Sequence, residues 1–77
     1  MDFEERIAEL TRNIDNPEKK VDALLEKAHE LRRTDIPFLK ACSEYCFRES
    51  QRVGYKLGVV MALRQLGMAH FSEGKPQ

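Results

Sequence analysis

Gly54-Tyr55-Lys56-Leu57-Gly58-Val59-Val60-Met61-Ala62-Leu63-Arg64-Gln65-Leu66-Gly67-Met68-Ala69-His70-Phe71-Ser72-Glu73-Gly74 is the most apolar long segment of the chain. It holds no proline, and glycines punctuate both ends, so a helix is expected over residues 57–73. Val59, Val60, Met61, Leu63, Leu66, Met68, Ala69 and Phe71 cover most of that helix's circumference. A helix apolar nearly all round expects burial on more than one side. What precedes it in the chain can cover one side only.

Outward from this stretch the chain reads as three further helices, over residues 2–14, 17–33 and 36–53. The first carries Phe3, Ile7, Leu10 and Ile14 on one stripe, the second Val21, Leu24, Leu25, Ala28 and Leu31. Asn16-Pro17-Glu18 supplies a cap, a proline at the first helical position and an acid in the first turn. Asp35, before Ile36-Pro37, is the expected cap of the third helix, whose stripe includes Phe38, Leu39, Cys42, Tyr45, Cys46 and Val53. Gly74-Lys75-Pro76-Gln77 cannot continue the fourth. No segment alternates as a strand would, and the connections are short. The fold class is therefore all-α, with four antiparallel helices in one domain over residues 1–77.

An internal period follows. Displaced by 39 residues, Val21 meets Val60, Ala23 meets Ala62, Leu24 meets Leu63, Ala28 meets Gly67 and Leu31 meets His70; likewise Phe3 meets Cys42, Ile7 meets Cys46 and Ile14 meets Val53. Gly67 and Ala28 are expected where two helices cross closely. Leu63-x2-Leu66-Gly67-x2-His70, with Gly74 behind it, resembles the tetratricopeptide (TPR) pattern W-x2-L-G-x2-Y. Gly54-Tyr55-Lys56-Leu57-Gly58 and Ala62-Leu63 resemble its long-helix variety from bacterial signalling proteins, with a repeat of about 40 residues. The match departs from the pattern where the motif's aromatic residues are missing and where Lys27 stands in place of a core leucine. HEAT-type helical repeats have a similar period.

The resemblance implies an α-solenoid fragment whose fourth helix is the first of an unfinished pair. The chain is then expected either to continue past Gln77 or to pair with a second copy of itself through helix four, burying Val59, Met61, Met68 and Phe71. It further implies a concave groove lined by Met61, Arg64, Met68, Phe71 and Ser72 on helix four and by Asp22, Leu25, His29, Arg32 and Arg33 on helix two. Flexible methionines and a ring suit an adaptable apolar peptide site, and Arg64 suits a carboxylate or phosphate. The family's Lys/Asn clamp for chaperone tails is not present. By analogy the module is non-catalytic, an N-terminal scaffold ahead of a cyclase, kinase or DNA-binding output domain; the alternative is a self-contained structural homodimer.

Composition narrows the field. Seventy-seven residues leave no room for a multi-domain enzyme. Thirteen basic residues balance 13 acidic ones, which argues against a nucleic-acid partner. Arg6, Arg12, Arg32, Arg33, Arg48, Arg52 and Arg64 are interspersed with glutamates on the same helices, the pattern of a solvated mixed-charge surface. No apolar run could span a bilayer, and Met1-Asp2-Phe3-Glu4-Glu5 does not open a secretory signal. Cys42 and Cys46, one helical turn apart, read as reduced thiols of a cytoplasmic protein. With His29 or His70 they offer a less favoured zinc alternative. No cofactor and no catalytic constellation of nucleophile, base and orienting group is expected.

Overall fold

A computed structural model of the chain describes residues 2–72, Ser72 by its backbone alone. The elements are α1 (Phe3–Leu10), α2 (Pro17–Glu30), α3 (Ile36–Val53) and α4 (Lys56–Ser72), and no strand occurs among the described residues. The expected helix-four stop at Gly74 lies outside the described residues.

Local chemistry sets most of the ends. Asp2 and Glu5 form a reciprocal box, the Glu5 N–H donating to the Asp2 carboxylate at 2.8 Å and the Asp2 N–H to Glu5 at 3.3 Å. Asn16 accepts from the Lys19 N–H at 3.0 Å and Asp35 from the Phe38 N–H at 3.1 Å, so both expected caps form. Gly54 has φ +75°, the left-handed turn that lets the Tyr55 and Gly54 N–H groups donate back to the carbonyls of Ser50 and Gln51. Two helices are shorter than their apolar stripes suggest. α1 gives way at Leu10, not Ile14, because Asn13, Asp15 and Asn16 favour turns and Pro17 drives its predecessor out of helical geometry. α2 ends at Glu30, not Arg33, in a turn where the Thr34 and Asp35 N–H groups both return to the Leu31 carbonyl.

α3 is the spine: each other helix packs on it. Antiparallel pairing with α2 sets Cys42 beside Leu24 and Cys46 beside Val21; pairing with α4 sets Ser43 opposite Gln65 and Ser50 opposite Gly58. α1 lies on α3 instead of forming the expected hairpin with its neighbour α2. It buries only Ile7, with Thr11 buried just beyond its end, and it also meets α3 through the Phe3 ring, 6.2 Å from that of Phe38, and through Arg6. That guanidinium carbon sits 4.0 Å over the Phe38 ring, and one of its nitrogens donates to Asp35 at 3.0 Å. The core is Val21, Leu24, Leu25 and Ala28 of α2, Phe38, Leu39, Cys42 and Cys46 of α3, Ile7, and the small Ala62 and Ala69 of α4.

Three expectations are corrected. Gly67 is not at a helix crossing: a methyl there would meet nothing within 4 Å, whereas one on Gly58 would collide with α3. His70 is exposed and does not fill a core place. The 39-residue displacement matches α1 to α3 at Ile7 and Cys46, both buried, but sets the 38% exposed Phe3 against the fully buried Cys42, and it fails for α2 and α4. Val21 and Leu24 are fully buried, while Val60 and Leu63 are 54% and 51% exposed. Burial in those two helices aligns at 41 residues instead, matching Val21 to Ala62, Leu24 to Gln65 and Ala28 to Ala69. The core face of α4 is made of small residues, so hydrophobicity alone pointed to the wrong side of the helix.

Candidate functional site

At 100° per residue, Gly58, Ala62, Gln65 and Ala69 fall on one face of α4, and all four are buried. Small side chains there let α4 approach α3 closely. Gln65 then reaches both neighbours: its Nε2 donates to the Leu25 carbonyl of α2 at 2.9 Å, and its Oε1 accepts from the Ser43 hydroxyl of α3 at 3.3 Å. One buried amide thus fixes the register of three helices.

With that face committed, the large apolar residues of α4 divide between two surfaces. The first faces α2, where a groove of about 540 Å³ is floored by Leu25, Leu57, Met61 and Gln65 and edged by His29 and Tyr55. Asp22, Glu26 and Glu30 form its outer wall. The Tyr55 hydroxyl donates to Asp22 at 2.7 Å, tying the α3–α4 turn to α2; that bond holds the phenol above its ordinary pKa. The second surface faces away from α2. Val60, Leu63 and Phe71 lie there, Phe71 being 83% exposed, with Gly67, Arg64 and His70 among them.

The residues expected to line one concave site therefore separate. Leu25, His29 and Met61 meet in the groove with Asp22. Arg64 and Phe71 are exposed on the other surface, and Met68 is half-buried and does not line the groove. Arg32 and Arg33 both lie in the turn after α2; Arg32 is half-buried and donates to the His29 carbonyl at 2.8 Å, and Arg33 is exposed. The side chain of Ser72 lies outside the described atoms. The flank expected to pair symmetrically also changes membership: Val59 and Met68 are half-buried, whereas Leu57, Val60 and Leu63 are in water.

Compared with protein-family profiles, with curated proteins and with solved structures, the chain finds no match in any of the three.

The two cysteines lie in the packing between α2 and α3. Cys42 and Cys46 are fully buried and unlinked; their thiols donate to the Leu24 and Val21 carbonyls at 3.3 and 3.8 Å. The hydrogen bond with Cys42, followed by burial, drives the Cys46 pKa strongly upward. His29 is in the groove and His70 on the outward surface, so the four residues of the zinc alternative are not brought together. Among the described residues no three His, Cys, Asp or Glu side chains converge, and no helix is long and apolar enough to cross a membrane. A second depression of about 600 Å³ lies between α1 and α3. It is walled by both acids (Glu4, Glu44) and bases (Arg12, Lys20, Arg48) and presents no single ligand chemistry. The sequence reading missed Gly58, Gln65 and the Tyr55–Asp22 bond. The signal for the first was present in the small residues Gly58, Ala62 and Ala69 at helical spacing, on the side that meets Ser43 and Ser50 of α3.

Proposed function

We propose that the chain is a non-catalytic helical interaction module, TPR-like in use, which joins a protein partner through α4. The observation that carries this reading is the outward surface of that helix. Leu63 is 51% exposed and Phe71 83%, on a face that none of the other helices covers. The resemblance supports it from the other direction. Of the four positions matched to the family motif, Leu63, Gly67 and His70 lie on this open side and Leu66 is half-buried; an unfinished pair would set its second helix there. On this reading α2 and α4 act as the groove-lining helices and α3 as the packing helix between them. The setting consistent with it is the scaffolding region of a bacterial signalling protein in the cytoplasm, in keeping with two unlinked thiols.

A second reading has its own observation. Val60, Leu63, Gly67 and Phe71 fall on one face of α4 with no acidic residue among them, a surface that a second copy can meet isologously. Sedimentation of the full chain separates the two. A homodimer that Leu63→Asp converts to a folded monomer favours the structural homodimer. A monomer favours a module completed by a different protein or by further helices. Association unaffected by Leu63→Asp would remove α4 from both readings.

A further inference from the structure

The groove between α2 and α4 has a floor and a wall of different chemistry. Leu25, Leu57 and Met61 offer an apolar surface with one flexible thioether. Asp22, Glu26 and Glu30 follow at i, i+4 and i+8 on α2, so their carboxylates form a row along one edge, spaced by about 5–6 Å per turn. Among the described residues no lysine or arginine lines the groove. Two of the acids already hold a partner within the chain: Asp22 accepts from Tyr55, and Glu30 lies 3.5 Å from Lys27. Each keeps a second carboxylate oxygen, and all three acids are exposed. A neutral apolar ligand would leave this row unmatched, and an acidic one would be repelled by it.

We infer that the groove receives a basic amphipathic protein segment, its apolar side chains on Leu25, Leu57 and Met61 and its lysines or arginines along Asp22, Glu26 and Glu30. This rests on the reading of the chain as an interaction module and adds the class of partner. Apolar contact supplies attraction, and the acidic row selects by charge and speeds encounter at low salt.

The test uses the full chain and two synthetic peptides of one pattern. Both carry leucines at helical spacing; one has lysine at every intervening position and the other glutamine. Binding is followed through methyl NMR shifts of Leu25 and Met61. The lysine peptide is expected to shift both methyls and to bind roughly tenfold tighter than the glutamine peptide, an advantage that salt erodes and that Glu26→Lys with Glu30→Lys abolishes. Glu26→Gln, a milder exposed change, is expected to weaken the lysine peptide in part. Equal binding of the two peptides, at the same methyls, would overturn the charge assignment and leave the interaction reading standing. Binding of neither, or shifts confined elsewhere, would overturn the groove as a site altogether.

Discussion

Gly58 of α4 lies directly against Ser50 of α3. A methyl built on Gly58 would stand 3.1 Å from the Ser50 Cβ, closer still to its hydroxyl, and 2.7 Å from a ring carbon of Tyr55. Helix propensity favours alanine over glycine by up to about 1 kcal/mol, but overpacking costs about 1–3 kcal/mol. Gly58→Ala is therefore expected to lower the urea midpoint. Gly67→Ala, with open space around it, is expected to raise stability by about 0.5–1 kcal/mol. A matching response from the two glycines would contradict the placement of the α3–α4 crossing.

Gln65 is the buried link between three helices. Gln65→Leu keeps much of the volume but leaves the Ser43 hydroxyl without its acceptor, at a cost of about 1–3 kcal/mol. Ser43→Ala in the same background should recover part of that loss, because the stranded hydroxyl goes with it. Additive effects in this double-mutant cycle would mean that the two side chains do not act together.

Much of the architecture was legible because it is local. Asn16-Pro17, Asp35 and Gly54 each fix a helix end through bonds within a few residues, and each does so as the sequence implied. The interior side of α2 was legible as well, since Val21, Leu24 and Ala28 are apolar and buried together. The interior side of α4 was not. Its core residues are glycine, alanine and glutamine, while leucine, valine and phenylalanine point outward, so a hydrophobic pattern places the wrong face inside. The same inversion explains why Leu25, His29 and Met61 were found as groove residues while Arg64 and Phe71 were assigned to a groove they do not enter. Arg6 was legible only as a surface charge, because its ring and carboxylate partners, Phe38 and Asp35, are distant in sequence.

Arg6 is expected to matter more than an ordinary surface arginine. It stacks on Phe38 and pairs with the same Asp35 that caps α3, both groups being part-buried. Arg6→Ala should cost about 1–2 kcal/mol and loosen α1, seen as faster amide exchange at Ile7 and Thr11 with α3 still protected. Arg6→Lys should recover little, since an ammonium lacks the planar stack. Full rescue by lysine would show that charge alone holds α1.

Two pairs give opposite pH dependences. The Arg52 guanidinium, bonded to Glu49 at 3.0 Å through its Nε, holds that carboxyl below its ordinary 4.5. Its contribution is present above 4.5 and lost as pH falls through the lowered folded value, and solvent screening keeps it small. The Asp22 bond raises the Tyr55 phenol above its ordinary 10, so that contribution is present below 10 and lost as pH rises through the folded value. Glu49→Gln should flatten the acid limb of a stability–pH curve, and Tyr55→Phe the alkaline limb. A variant that flattened the opposite limb would contradict the assignment.

The outward side of α4 is proposed above as a contact surface. Titration with an apolar fluorescent dye tests it most directly, at dilutions where sedimentation shows monomer. The folded chain is expected to bind dye, with binding reduced severalfold by Leu63→Asp and further by adding Phe71→Asp, and with helical content unchanged. A monomer that takes up no dye, or takes it up equally in all three proteins, would contradict it.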